Sequence, residues 1–191
     1  TAWLGSLPAE TVLWDVGANV GSYTLIAAAR GLAVVALEPA FANYARLCQN
    51  LALNPRLAEN VMALPVALTA TTGVQWFSLR QLVPGAAGHG WGEAPFLPAF
   101  VQPVLCYAID DLVNLLGFLR APTAIKIDVD GGEEDVIAGG AKYLRRCQTA
   151  MVEVNGDGAG IVDRLAGVGL RLKTRYDARG LWYGRFDRED A

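Results

Sequence analysis

The chain has 191 residues, 53% of them hydrophobic and 18% charged, and a formal net charge of −3. Length and composition exclude a disordered polypeptide and fit one globular domain with a substantial core. The mild acidity argues against a broad surface for nucleic acid or an anionic membrane, so neither is an expected partner.

No apolar run approaches the ~20 residues that a membrane-spanning helix needs. The opening TAWLGSLPAE has neither the basic segment nor the apolar stretch of a signal peptide, so the expected compartment is cytoplasmic. Cys48, Cys106 and Cys147 share no metal or redox spacing and read as reduced thiols. His89 is the single histidine, which excludes a His-rich metal motif.

Trp3, Leu4 and Leu7 form a short apolar lead-in, read as part of a covering helix. Residues 11–16 predict an apolar strand, and 20–30 a helix apolar on nearly every side. Residues 33–37 are a continuous apolar strand, the pattern of a parallel strand covered on both faces. Phe41, Tyr44, Ala45, Cys48, Leu51 and Ala52 recur with a helical period, so 41–53 predicts a helix buried on that face and stopped by Asn54-Pro55. Strand, helix, strand, helix predicts right-handed crossovers and a parallel sheet.

A third strand is expected over 61–68, a turn at 71–73 and a further strand over 74–79. Regular patterning then stops from Arg80 to Pro103, a segment rich in Gly and Pro that still carries Trp91, Phe96 and Phe100. A loop this long in a compact domain is usually functional, so 80–103 reads as a substrate-facing lid. The alternative is an insertion packing its aromatics on the flank. A strand over 104–108 follows, then a short helix capped by Asp110 or Asp111. Residues 123–128 predict a buried strand and 133–146 a helix with acids in its first turn and bases in its last, as the helix dipole favours. A strand at 150–154, a helix at 161–166 and a final strand pair, 170–173 and 181–186, complete one α/β domain over 1–191.

Gly17, Ala18, Asn19 and Gly21 make a turn of small bulk between the first strand and its helix, letting a ligand touch backbone at a helix N-terminus. Three strands end in acids: Asp15, Glu38 and Asp128. The carboxyl ends of a parallel sheet are where ligands bind, and an acid ending the second strand is positioned to hold a ribose diol. A buried charge is costly without a partner, which marks Asp15, although it could simply bond the amides of the turn.

WDVGANVGSYTL, VVALEPAFANYARLCQNLALN, YAIDDLV, AIKIDVDGGEEDVIAGGAKYL and AMVEVN, in that order over 12–155, resemble the FkbM family of S-adenosylmethionine-dependent methyltransferases. The resemblance implies a Rossmann-like class I methyltransferase fold, a mostly parallel seven-stranded sheet whose last strand is antiparallel. It also implies S-adenosyl-L-methionine as cofactor, S-adenosyl-L-homocysteine as product, and O-methylation of a sugar or polyketide-like small molecule. Asp15, Gly17, Ala18, Asn19 and Gly21 would then surround the methionine end of the cofactor. Glu38, with Pro39 beside it, would bind the ribose hydroxyls, and Ala67 would lie near the adenine. Asp128, Asp130 and Glu133 match the family's IDVEGxE run, with Asp130 in place of the usual Glu.

A sulfonium methyl is already activated, so the protein must align the acceptor oxygen and exclude water. An aliphatic hydroxyl is helped by a base, for which Asp128, Asp130, Glu153 and His89 are candidates. A bound metal is not expected. The rival reading, a nicotinamide-dependent reductase, is disfavoured because Asn19 stands where a second glycine should admit a pyrophosphate, and no Tyr-x-x-x-Lys pair occurs. A non-catalytic cofactor-binding member of the fold is the other alternative.

Overall fold

The computed structural model describes residues 2–92, 94–178 and 180–189. A short helix α1 (Ala2–Gly5) leads into β1 (Val12–Val16), all five of whose residues are buried. Helix α2 (Ser22–Ala29), β2 (Ala33–Leu37), α3 (Phe41–Ala52), α4 (Pro55–Ala58) and β3 (Val61–Leu64) continue the expected alternation. After β4 (Ala67–Leu68), β5 (Gly73–Leu79), β6 (Gly90–Trp91) and β7 (Phe100–Tyr107) come α5 (Ile109–Leu115) and β8 (Ala124–Ile127). Then follow α6 (Glu133–Ala138), α7 (Ala141–Leu144), β9 (Thr149–Asn155), α8 (Ala159–Gly167), β10 (Leu170–Ala178) and β11 (Leu181–Arg188).

The main sheet runs β10-β11-β9-β8-β1-β2-β3. Strands β3, β2, β1, β8 and β9 pair in parallel, and the last strand, β11, runs antiparallel to both β9 and β10, as expected. Alternation along the strands splits the core into two layers. Trp14, Ile125, Ile127 and Val152 pack with Ile109, Val136 and Leu165 of the helices on one face. Leu13, Val34, Ala124 and Met151 pack with Trp3, Leu4, Ala27 and Ala28 on the other. The indole N–H of Trp14 donates to the Arg120 carbonyl at 3.0 Å, so burying this large side chain leaves no orphan donor.

Several local expectations are corrected. The strand expected over 61–68 breaks at Pro65, which cannot donate to a ladder, and β4 departs to join a second sheet ordered β4-β7-β5-β6. The patternless stretch 80–103 is partly regular. Strand β7 starts at Phe100, four residues earlier than expected, and its register pairs Phe100 with Leu79, while β6 pairs with β5.

Helix α3 turns differently from its apolar pattern. It buries Asn43, Leu47 and Leu51, whereas Phe41 is exposed and stacks edge-on against Phe100. The helix expected over 133–146 is broken at Gly139-Gly140, where the chain passes so close to Thr69 that a Cβ on Gly139 would lie 2.2 Å from its carbonyl oxygen. Asp110 and Asp111 do not cap their own helix. Asp110 accepts from the Lys142 and Tyr143 amides at the start of α7, and Asp111 from the Thr72 hydroxyl. Among the described residues no helix is long and apolar enough to cross a membrane.

Candidate functional site

The turn after β1 is pinned between its two neighbouring strands. The Gly17 and Ala18 amides both donate to the Leu37 carbonyl at 3.0 Å. Gly17 has φ 75°, and a Cβ there would lie 1.8 Å from the Asp128 carbonyl oxygen, so only glycine lets β1 and β8 end this close together. Asn19 also adopts a left-handed conformation, φ 52°, which aims its amide at Glu38 Oε2, 2.8 Å away. The Ala40 amide takes Glu38 Oε1 at 2.9 Å. Burial dominates the chemistry of this carboxyl: despite the Ala40 and Asn19 amides and the charge of Lys126, its pKa is pushed up to about 7.

Beneath the turn lies a buried ion cluster. Lys126 Nζ is 3.2 Å from Asp15 Oδ1 and 3.4 Å from Asp128 Oδ2, and it donates to the Gly17 carbonyl at 2.8 Å. Asp15 is fully buried and accepts from the Thr24 hydroxyl of α2 at 2.6 Å. Burial works against the Lys126 ammonium, yet the two carboxylates outweigh it and hold the lysine pKa above its ordinary value. One cation thereby joins β1, the glycine turn and the end of β8.

A cavity of about 460 Å³ opens above this cluster. Gly17, Ala18, Asn19, Glu38, Pro39 and Ala67 line one part of it, and Asp128, Asp130 and His89 another. Asp15 and Gly21 are not among its lining residues. Asp15 lies below, committed to Lys126 and Thr24, while Gly21, φ 92°, packs against Leu47 and starts α2. Glu153 also stands off the cavity; its Oε2 accepts from the Tyr183 hydroxyl at 2.7 Å. Burial, then the nearby charges of Asp128 and Glu133, raise the Glu153 pKa against that hydrogen bond.

Part of the 80–103 segment roofs the cavity, because Gly85, Ala86, Ala87 and His89 line it. Three side chains hold this strap down. Asn43 takes the Gly85 amide at 2.8 Å and donates to the Ala86 carbonyl at 3.1 Å, which explains why a polar residue lies on the buried face of α3. Asn19 Nδ2 reaches the same carbonyl at 3.3 Å. Asp130 Oδ2 accepts the Gly88 and His89 amides at 2.8 and 3.2 Å.

His89 Nδ1 accepts from the Arg80 amide at 3.2 Å, so the neutral ring carries its proton on Nε2. Burial also lowers the His89 pKa, against the pull of Asp130. Glu133 is buried too; its Oε1 accepts the Val129 and Gly131 amides, both at 3.2 Å, and so braces the turn that presents Asp128 and Asp130.

The sequence profile described as the Methyltransferase FkbM domain matches residues 15–167. The chain belongs to the FkbM methyltransferase family. It is similar to the hexuronic acid methyltransferase AglP of Haloferax volcanii, with 26% identity over 146 residues, 76% of this chain and 56% of that protein. Among solved structures it resembles an FkbM methyltransferase from Methylobacillus flagellatus KT, with a TM-score of 0.67 and 18% identity over 95% of this chain and 45% of that one. It also resembles the magnesium protoporphyrin IX methyltransferase ChlM of Synechocystis PCC 6803, solved with bound SAM. There the TM-score is 0.58 and the identity 13%, over 98% of this chain and 76% of that chain. The chain therefore spans about half the length of AglP and of the Methylobacillus enzyme, and the structural likenesses establish the class I methyltransferase fold.

Within this FkbM domain, the sequence reading passed over Lys126 and Asn43. The first had a signal, a lysine within the buried run AIKID flanked by strand-end acids; the second had none, because the partners of Asn43 come from 42 and 43 residues away. Two outcomes are expected. Lys126→Met leaves buried Asp15 without its counter-ion and should destabilise the fold by about 3–5 kcal/mol in urea denaturation; a loss below about 1 kcal/mol would contradict the pairing.

Second, between pH 4.5 and about 7 the folded chain retains a proton on Glu38 that the unfolded chain has released. The stability this group contributes is complete below pH 4.5 and is lost as pH rises towards 7. Glu38→Gln should flatten that part of the stability–pH profile, and an unchanged slope would contradict the raised pKa.

Proposed function

We propose that the protein is an S-adenosylmethionine-dependent methyltransferase that methylates a hydroxyl group of a sugar-like small molecule. The observation that carries the reading is the convergence of Glu38, Asn19 and Asp128 on one cavity beside a glycine turn with no room for a side chain. These residues fit an adenosyl cofactor. Each Glu38 oxygen accepts a single backbone amide and keeps capacity for a ribose hydroxyl. Asn19 Oδ1 is buried without a partner among the described residues and can accept from the ligand. Ala67 and Pro39 supply apolar wall.

When bound, the cofactor supplies a methyl carbon already activated on a sulfonium. The chain's own contribution is alignment, exclusion of water and a place for one proton. Of the four candidate bases, Asp130 is engaged with the strap amides, His89 Nδ1 with the Arg80 amide, and Glu153 with Tyr183 outside the cavity. Asp128 lines the cavity, its side chain is 32% exposed, and Lys126 Nζ holds its Oδ2 at 3.4 Å. In this reading Asp128 would accept the proton of the acceptor hydroxyl, and the cofactor held by Glu38 and Asn19 would supply the methyl group.

Similarity to a protein named for hexuronic acid methylation supports a sugar-like acceptor. The strap over 85–89, tied to Asn19, Asn43 and Asp130, supports assigning 80–103 as a lid that shields the reaction from water. The whole chain serves in this reading as a single methyltransferase domain.

Isothermal titration with S-adenosylhomocysteine and with NADH tests the proposal. Binding of the first but not the second is expected, and Glu38→Ala should weaken it by about 1–3 kcal/mol. Binding of NADH alone would overturn the methyltransferase reading, and an unaltered affinity in the variant would remove Glu38 from the ribose.

A further inference from the structure

A second pocket, of about 200 Å³, lies on the same face of the sheet as Lys126 and Asp128 and touches the first cavity at Tyr23. It is lined by Ala2, Trp3, Tyr23, Met151, Tyr176 and Tyr183, four aromatic rings from four different elements. The register explains the grouping. Lys126 stands opposite Met151, Glu153 opposite Tyr183, and Tyr183 opposite Tyr176, and residues paired in this way project from one face.

The two cavities are joined by polar groups. Asp128 lines the first and is held by Lys126, whose Nζ faces the Tyr23 ring shared by both; and Glu153 Oε2 holds the hydroxyl of Tyr183, which lines the second. Trp3 is fixed by its indole N–H on the Thr149 hydroxyl at 2.9 Å, and the Tyr23 ring by Lys126 Nζ, 5.4 Å from its centroid. Both are walls with little freedom to move.

Aromatic faces beside carboxylate acceptors suit a ligand that is apolar on one side and rich in hydroxyl donors at its edge, as a pyranose ring is. The charge is equally specific. Lys126 is already committed to Asp15 and Asp128, and Arg185, on this face, is paired with Asp187 at 3.0 Å. A ligand carboxylate would therefore meet the acids Asp128 and Glu153, with Lys126 and Arg185 already paired.

We infer that this aromatic pocket is the acceptor subsite and that it takes a neutral sugar ring, not a uronate, holding it beside Asp128. The inference rests on the methyltransferase reading and adds to it where the acceptor sits and what charge it carries.

The chain has only two methionines, Met62 and Met151, which makes the test direct. Met151 lines the pocket, whereas Met62 lies on β3 at the far edge of the sheet. With [13C-methyl]methionine-labelled protein saturated with S-adenosylhomocysteine, methyl glycosides of glucose, galactose, mannose and rhamnose are titrated, with glucuronate in parallel. A saturable shift of the Met151 methyl signal with at least one neutral glycoside is expected, with Met62 unmoved and glucuronate silent. Tyr176→Ala, a change at a half-exposed position, should abolish that shift while S-adenosylhomocysteine still binds.

No response to any glycoside, a response to glucuronate alone, or an undiminished response in Tyr176→Ala would overturn the subsite and leave the cofactor reading intact. Failure of S-adenosylhomocysteine to bind at all would overturn both.

Discussion

A single ammonium group in the sheet interior sets the geometry of the site. Lys126 stands between Asp15 and Asp128 and also grips the Gly17 carbonyl, so one charge fixes the ends of β1 and β8 and the turn between β1 and α2. Buried ion pairs are poor sources of net stability, because desolvation offsets most of the attraction. Their worth here is positional. Two carboxylates that would repel one another are held at defined places, one sealed below the turn and one facing the cavity. A well-packed apolar trio could make as stable a core, but it would not hold the Asp128 carboxyl in place at the cavity.

The neighbouring acid is handled in the opposite way. Glu38 has no ion pair among the described residues; backbone amides from Asn19 and Ala40 hold it, and burial lifts its pKa to about 7. A carboxyl poised there is easily biased by whatever it binds, since hydroxyl donors favour the ionised form. Asn19 links this acid to the roof, its amide on Glu38 and its side chain on the Ala86 carbonyl. Asp130 ties the opposite end of the same roof. Both residues adopt positive φ, a strained choice for non-glycine residues that suits side chains bonding to nearby backbone.

Much of this architecture was readable from the chain. The strand-like runs at 11–16, 33–37 and 123–128 announced the parallel centre of the sheet, because strands covered on both faces are mostly apolar. The strand-end acids Glu38 and Asp128 and the small residues Gly17 to Asn19 do meet at one cavity. What failed was set by partners distant in sequence. Asn43 was passed over in favour of Phe41 because an amide on a buried helix face makes sense only once the strap lies across it. The break at Gly139 depends on the approach of Thr69, and the strand beginning at Phe100 needs β5 beside it. Asp15 reads as a ligand contact by motif, yet its partners are Lys126 and Thr24. Tyr183 and Tyr176 carried no signal at all, since their pocket is assembled from both ends of the chain.

The central claim is that strand-end carboxylates, arranged around Lys126, receive an adenosyl cofactor in the cavity beneath the strap. A crystal structure of the complex with S-adenosylhomocysteine tests it most directly. The ribose hydroxyls are expected on Glu38, a ligand donor on Asn19 Oδ1 and the sulfur on the Asp128 side of the cavity, with Lys126 still bridging its two acids. A ligand bound elsewhere, or one in this cavity that leaves Glu38 untouched, would contradict it.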